Sequence, residues 1–394
     1  MAALEAEELE LVRMRLAALE RPHEPGDVAQ AMRSLGLVVS DQLVLHTCED
    51  LRRTSIGAGP LEDLLHEPGV TDVLVNGPAQ VFVDRGHGLE AAAVRFDSDE
   101  QVRRLAVRLA ASVGRRLDEA SPCVDARLAD GTRVHAVLGS IADPGTCLSL
   151  RVPARRSLPL EKWVASGSMG PECADLLRAV IATRTAFLVS GGTGSGKTTL
   201  LASLLSLVPD DQRLLVVEDS RELSPQHPHC VRLEARQPNA EGVGEVSLTH
   251  LVRQALRMRP DRLVLGEVRG AELCDLLTAL NTGHEGGCGT VHANSVIDVP
   301  ARLEALAALG GMGREACHAQ VASALRLVVH VRRGESGRRG VSQIGIVQRG
   351  PDGIEVGEAV AFTADGRPRA GQCWSALARI LGIDDAPTGW RWAR

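Results

Sequence analysis

Short runs of apolar residues alternate with polar residues and turn sequences in the first part of the chain, a spacing typical of strands in a half-buried sheet. Strands are predicted at residues 72–75, 80–83, 133–138 and 147–152. Asp130-Gly131 accompanies the last two strands as a hairpin-type turn signal, and apolar positions in residues 100–113 recur at helical spacing. The pattern predicts an α+β domain with its own sheet over residues 56–153.

The second part of the chain has continuous apolar runs that alternate with helical segments. Strands are predicted at residues 186–190, 214–217, 263–265 and 327–331, and helices at residues 198–208 and 248–258. Because this alternation is typical of a parallel sheet wrapped by helices, the predicted fold class is α/β. Two shorter runs, at residues 342–347 and 354–356, predict an antiparallel C-terminal appendix that begins at about residue 334.

The remaining segments complete the predicted domain organisation. Residues 1–55 are rich in Ala, Leu and Glu at helical spacing, interrupted by Pro22 and Pro25, which predicts a helical lead-in. Residues 154–160 are predicted as a linker, and residues 161–394 as the α/β domain with its appendix. With 394 residues, 44% of them hydrophobic, the chain is long enough to bury two domain-sized cores.

The strongest chemical signal is a phosphate-binding loop. Residues 191–198 satisfy the pattern G-x-x-x-x-G-K-[ST] between a predicted strand and a predicted helix. The glycines allow backbone N–H groups to converge on phosphates at the start of the helix. Lys197 would contact the β- and γ-phosphates, and Thr198 would bind Mg²⁺. The predicted nucleotide-binding residues are Gly191, Gly192, Thr193, Gly194, Ser195, Gly196, Lys197, Thr198 and Thr199.

Acidic residues follow two of the apolar strands, and a histidine ends a third strand-like segment. Glu267 is expected beside the phosphate loop, since the carboxyl ends of parallel strands meet at one edge, and would hold the Mg²⁺ shell through a water. Glu218 is the predicted general base toward the attacking water. His292 ends a Gly-rich segment and is the predicted sensor of the γ-phosphate, with His284 as a second histidine of the segment.

The amino-acid composition limits the kinds of partner and the cellular compartment that are expected. The formal net charge is −6, which argues against nucleic acid as the main partner. The nine cysteines form no C-x-x-C pair, and no signal segment is visible, so a reducing cytoplasm is expected. No run approaches the ~18–20 apolar residues of a membrane span. Only two of the 44 basic residues are lysines, Lys162 and Lys197, which indicates a chemical need for lysine at position 197.

These motifs together resemble a known family. The phosphate loop, Val217-Glu218-Asp219, residues 257–262, residues 266–270 and residues 282–294 are similar to the type II/type IV secretion ATPase superfamily. More narrowly, the chain resembles the tight-adherence (Flp) pilus-assembly ATPases called TadA or CpaF. The resemblance extends over residues 69–331 and is looser on either side.

The resemblance implies a RecA-like ATPase domain preceded by a PAS-like domain, in a homohexameric ring with the nucleotide between the two domains of one subunit. It implies ATP and Mg²⁺ as cofactors, and inner-membrane platform proteins as partners at the inner face of the cell membrane. Residues 125–134 and 150–152 resemble arginine-bearing segments of the family's N-terminal domain. Arg127, Arg133 and Arg151 would then contact the terminal phosphates, where a guanidinium can bind two oxygens at once.

The predicted function is a hexameric ATP-hydrolysing motor for pilus assembly or protein secretion. One alternative is a DNA conjugation or translocation ATPase, because RecA-like folds serve both purposes. The four Phe and four Trp provide few stacking platforms for single-stranded DNA. Another alternative is an assembly scaffold that binds nucleotide without hydrolysis, against which the presence of both Glu218 and Glu267 argues.

Overall fold

The computed structural model describes residues 4, 6–17, 24–55, 57–86, 88–153, 157–236, 238, 242–334, 337–363, 365–383 and 391–392. The chain divides into two compact units, Met1–Pro153 and Ala154–Arg394. Pro22 of the lead-in, and Arg155 and Arg156 of the predicted linker, lie outside the described residues. Across the described ranges, no helix is long and apolar enough to cross a membrane.

The first unit combines helices with a sheet. Its elements are α1 (Ala6–Ala17), α2 (Pro25–Ser34), α3 (Asp41–Ser55), α4 (Glu62–His66), β1 (Asp72–Asn76), β2 (Gln80–Asp84), β3 (Leu89–Ala91), α5 (Asp99–Ser112), β4 (Cys123–Arg127), β5 (Arg133–Val137) and β6 (Cys147–Arg151). The first three helices share a core that includes Val12, Met32 and Leu51. Pro25 begins α2, a position where proline's missing N–H leaves no hydrogen bond unmade.

The sheet of the first unit has the order β3-β2-β1-β6-β5-β4 within the described residues, with antiparallel neighbours. One face packs against α5 and contains Val73, Val134 and Leu150. Strand β4 was not predicted, because as an edge strand it has only a single buried side chain, Val124, and so shows little apolar alternation. Asp130-Gly131 therefore lies in the turn between β4 and the predicted strand β5, and not between the two predicted strands.

The second unit alternates strands and helices. Its elements are α6 (Leu160–Ala165), α7 (Pro171–Ala182), β7 (Phe187–Gly191), α8 (Lys197–Leu205), β8 (Leu214–Glu218), β9 (Cys230–Glu234), α9 (Leu248–Ala255), β10 (Arg262–Leu265), α10 (Glu272–Asn281), β11 (Cys288–His292), α11 (Val299–Leu309), α12 (Arg314–Ala324), β12 (Leu327–Arg333), β13 (Arg339–Gly350), β14 (Gly353–Phe362), β15 (Pro368–Ala370), α13 (Trp374–Leu381) and β16 (Arg391–Trp392). Short 3₁₀ helices occupy Gly59–Leu61 in the first unit and Leu256–Met258 in the second.

One sheet runs through the second unit, with the order β16-β15-β14-β13-β12-β7-β11-β10-β8-β9 among the described strands. The strands from β12 to β9 are parallel, and β13, β14 and β15 continue the sheet as antiparallel strands. Leu188 and Val189 are adjacent in β7 but belong to cores on opposite faces, so helices cover both faces. The predicted α/β fold class is confirmed.

The parallel strands position the chemistry. The carboxyl ends of β7, β11, β10 and β8 lie at one edge of the sheet, where the connections into the following segments begin. His292 at the end of β11 is paired with Gly191 at the end of β7. Glu218 ends β8, and Glu267 follows β10 by two residues. Residues far apart in sequence therefore meet at this edge.

Candidate nucleotide-binding site

The phosphate loop has a backbone that only glycine fits at two positions. Gly191 has φ +153°, and a Cβ there would lie 2.3 Å from the carbonyl oxygen of Val331. Gly196 has φ +98°, a left-handed conformation, and immediately precedes α8. These glycines bring the loop close to its neighbours and turn it into the first turn of the helix, where free N–H groups favour an anion.

Lys197 and Ser195 are buried within this loop. The Lys197 ammonium donates hydrogen bonds to the carbonyl oxygens of Gly191, at 3.0 Å, and Gly192, at 2.8 Å. Burial lowers the pKa of Lys197, although the carboxylates of Glu267 and Glu222 oppose this effect. The buried Ser195 hydroxyl has no hydrogen-bond partner among the described residues. A site with an orphaned donor and a buried ammonium fits the phosphates of a nucleotide.

Glu267 lies in a network of charges next to the loop. Its Oε2 accepts a hydrogen bond from Arg269 at 2.7 Å, and its Oε1 is 3.0 Å from Nε2 of His292. Arg269 also lies 3.6 Å from the carboxylate of Asp219. The structure therefore brings Glu267 and His292 together. Arg269 was quoted in a motif by sequence analysis but was given no role.

The network shifts the pKa values of both partners. Burial favours the protonated form of Glu267, but the hydrogen bond and charge of Arg269, together with His292 and Lys197, lower its pKa below the ordinary value. Burial lowers the pKa of His292, and the positive charges of Lys197, Arg269 and Arg302 lower it further. The negative charge of Glu267 opposes these effects. At neutral pH the pair is therefore a carboxylate beside a neutral imidazole.

Glu218 lies in a more buried environment than Glu267. Its Oε1 accepts hydrogen bonds from the backbone N–H groups of Glu222, at 2.9 Å, and Leu223, at 2.8 Å. Its Oε2 is buried and has no partner within the described structure. Burial raises its pKa to about 7, against the two backbone hydrogen bonds. A Cβ on Gly266 would lie 2.5 Å from the Glu218 side chain, so the neighbouring strand packs directly on this acid.

A magnesium site is compatible with these donors. Among the described residues, no three His, Cys, Asp or Glu side chains are grouped as metal ligands. The Thr198 hydroxyl, in the first turn of α8, and the Glu267 carboxylate are oxygen donors of the kind that Mg²⁺ binds. Mg²⁺ usually keeps several waters and takes its remaining ligands from phosphates, so a site with few protein ligands fits it.

A cleft of about 510 Å³ opens beside the phosphate loop. It is lined by Gly192, Thr193, His292, Ala293, Asn294, Asp298, Ala301, Arg302 and Ala305. The lining therefore joins the loop and the tip of β11 to the first turns of α11. No role was predicted for α11, since an arginine and alanines on a helix carry no recognisable motif.

His330 is a second residue that sequence analysis missed. It lies on β12 next to the start of the phosphate loop, and its Nδ1 is 2.8 Å from the buried hydroxyl of Ser190. Its pKa is lowered by burial and by nearby positive charges, and it also makes a hydrogen bond with the backbone of Asn294. The sequence signal that could have identified His330 is its position as a polar residue within an apolar strand.

His284 is not brought together with His292. It precedes β11, whereas His292 ends this strand, so the two histidines lie toward opposite edges of the sheet. The length of β11 alone separates these edges by about 13 Å at ~3.3 Å per residue. Nδ1 of His284 is buried and has no partner among the residues described. The structure therefore places His292, and not His284, at the phosphate edge.

The three predicted arginines lie in one row on the sheet of the first unit. Arg127 is paired with Arg133, and Arg133 with Arg151, across neighbouring antiparallel strands. Paired residues share a face, and this arginine row (Arg127, Arg133 and Arg151) lies opposite the core face that holds Val134 and Leu150. Nε of Arg151 is 4.0 Å from Asp72.

Comparison with known proteins places this geometry in a family. The type II/IV secretion system protein family matches residues 54–333. A putative conjugal transfer protein of Mycobacterium tuberculosis (strain ATCC 25618 / H37Rv) is 50% identical over 345 residues, covering 86% of this chain and 94% of the relative. Type IV secretion system protein VirB11 of Brucella suis biovar 1 is 32% identical over 300 residues, covering 69% and 82%.

The fold is also similar to a solved structure, the pilus retraction motor PilT with bound ADP. The TM-score is 0.52 at 20% identity, and the match covers 74% of this chain and 82% of that chain. The family match and the two relatives above confirm the resemblance of the motifs to the secretion superfamily. The chain belongs to the type II/IV secretion system protein family.

Proposed function

We propose that this chain is a Mg²⁺-dependent ATPase that converts ATP and water to ADP and phosphate and drives a secretion or pilus-assembly machine. The observation that carries the proposal is the meeting of the phosphate loop with an acid and a histidine at one edge of the parallel sheet. His292 is paired with Gly191 of the loop, and Glu267 lies 3.0 Å from His292. A bare nucleotide-binding loop does not require this arrangement.

Each residue then has a chemical task. The loop N–H groups and Lys197 bind the β- and γ-phosphates. Thr198, together with Glu267 through a water, would hold Mg²⁺, which would neutralise phosphate charge. Glu218 accepts the proton of the attacking water, since a base with a pKa near the working pH is the most effective. His292 detects the terminal phosphate through its contact with Glu267.

The wider assembly follows from the family resemblance. We propose a helical lead-in at residues 1–55, an N-terminal domain at 56–153, a linker at 154–160 and an ATPase domain at 161–394. In a homohexameric ring, the arginine row contacts the terminal phosphates, and hydrolysis changes the gap between the two domains at a hinge within the linker. The ring would act on platform proteins from the cytoplasmic side of the inner membrane.

The test uses the chain's two lysines as a matched pair. Lys197→Ala is expected to abolish steady-state phosphate release, whereas Lys162→Ala, at an exposed position of α6, should leave it unchanged. Glu267→Gln should bind ATP and release no phosphate. Equal hydrolysis by a folded Lys197→Ala variant would refute the proposal. Nucleotide binding without phosphate release by the parent protein would instead support the non-hydrolysing scaffold.

The conjugation alternative has a specific observation in its favour. The relative that is 50% identical is named a putative conjugal transfer protein, and VirB11 is a type IV secretion protein. A tight-adherence pilus role rests on the motif resemblance. Stimulation of hydrolysis by single-stranded DNA would favour DNA transfer. Capture of the Glu267→Gln variant with membrane proteins of a pilus machine, without a DNA effect, would favour pilus assembly.

A further inference from the structure

Arg302 brings a positive charge into the cleft beside the phosphate loop. It lies in the first turns of α11 and lines the cleft together with Gly192 and Thr193 of the loop and with His292. Arg302 and the loop therefore line one cleft.

Two other cations near the loop, Lys197 and Arg269, are already engaged. Lys197 donates to two loop carbonyl oxygens, and Arg269 contacts the carboxylates of Glu267 and Asp219. No ion pair joins Arg302 to a carboxylate of the described residues. Asp298 lies one turn earlier on the same side, but its Oδ2 accepts a hydrogen bond from Ser295 at 2.7 Å instead.

The surroundings leave room for a ligand next to this guanidinium. Ala301 and Ala305 line the cleft on either side of Arg302, and both are small and exposed. Gly192 and Thr193, the loop positions that precede the turn into α8, line the same cleft. A guanidinium that has no ion pair among the described residues and shares a cleft with a phosphate loop is suited to phosphate oxygens, which it can bind through two N–H groups.

We propose that Arg302 is a specificity-determining residue that contacts the terminal phosphate of the nucleotide and makes the site prefer ATP to ADP. The inference rests on the proposed ATPase function and deepens it. Because ADP lacks the group that Arg302 contacts, the residue contributes to ATP affinity and contributes little to ADP affinity. Helix α11 thereby responds to the presence of the third phosphate.

The test compares two nucleotides in matched variants of the full chain. Dissociation constants of a non-hydrolysable ATP analogue and of ADP are measured for the parent, Arg302→Gln, Arg302→Lys and the control Arg349→Gln, an exposed arginine of β13 outside the cleft. Arg302→Gln should weaken the ATP analogue about tenfold, the value of one charge-assisted hydrogen bond, and leave ADP within about twofold. Arg302→Lys should restore part of the preference, and the control should match the parent.

Two results would overturn the inference. An unchanged ratio of the two affinities in Arg302→Gln shows that the residue does not contact the terminal phosphate. An equal loss for both nucleotides shows a structural role in the loop or helix. Failure of the proposed function would look different, since the parent itself would then release no phosphate from ATP, whatever the two affinities of Arg302→Gln.

Discussion

Glu218 is the side chain at which burial and hydrogen bonding oppose each other most directly. Two backbone N–H groups stabilise its carboxylate, but the effect of burial is larger than theirs. The pKa therefore rises from the ordinary 4.5 to about 7. The second carboxylate oxygen has no partner in the described part of the chain. An acid with a pKa near 7 is suited to accept a proton at neutral pH. The burial that raises this pKa also lowers the stability of the folded chain when Glu218 is ionised.

The cost in stability gives a prediction with a definite sign. Between pH 4.5 and about 7 the folded state keeps a proton on Glu218 that the unfolded state releases, so the free energy of unfolding falls as the pH rises through this window. Glu218→Gln removes this dependence. We expect the variant to gain up to ~3 kcal/mol relative to the parent between pH 4.5 and pH 8.

Urea unfolding of the full chain at both pH values measures this gain, and comparing the two cancels any pH-independent cost of the amide. Glu267→Gln is the control, because the pKa of Glu267 is lowered and its removal should not produce a gain at high pH. Parallel pH dependences of the parent and Glu218→Gln would show that the acid is not protonated in the folded state.

At the scale of elements, the sequence predicted the strand, loop and helix around residues 191–198 within a few residues, because the glycines, the lysine and the apolar strand are local signals. Strand β9 was missed, since as an edge strand it contains no fully buried residue. The contact between Ser190 and His330 was also missed. Its partners are 140 residues apart and meet only because β12 pairs with β7.

The pairing of β7 with β12 below the phosphate loop leads to a second prediction. Ser190 and His330 are both buried, so His330→Phe should leave the hydroxyl unpaired and cost about 1–3 kcal/mol of stability. Adding Ser190→Ala removes the orphaned group and should recover part of that loss. The double-mutant cycle, measured by urea unfolding and by ATP affinity, gives the coupling between the two strands.

A coupling energy near zero in this cycle would show that the hydrogen bond does not hold the strands in position. Ser342→Ala is a useful control, because its hydroxyl donates to the backbone of His330 from the neighbouring strand β13 without contacting Ser190. It should not couple to Ser190→Ala. Recovery of stability without recovery of ATP affinity would assign the pair a structural role alone.

For the whole molecule, the periodicity of apolar residues predicted an α+β domain with its own sheet, followed by a domain with a parallel sheet. Both sheets are present. The arginine row was expected from resemblance, but spacing alone does not place Arg127, Arg133 and Arg151 side by side. Their alignment depends on the register of two consecutive hairpins, which turn lengths and tertiary packing determine. The cleft at α11 was beyond prediction for the same reason, since it forms only where three separate segments meet.

The arginine row gives the prediction that concerns the whole chain, because its residues lie in the first unit while the phosphate loop lies in the second. Arg133 is half-buried at the centre of the row and lies between two positions of the same charge, so Arg133→Gln should change the stability of the chain by no more than about 0.5 kcal/mol at low salt. Phosphate release should nevertheless fall about tenfold, the effect of losing one charged hydrogen bond to phosphate.

His135→Gln, on the same strand and face, is the matched control. If Arg133→Gln lowered stability and activity together, the row would be structural; full activity would mean that hydrolysis needs nothing from Arg133.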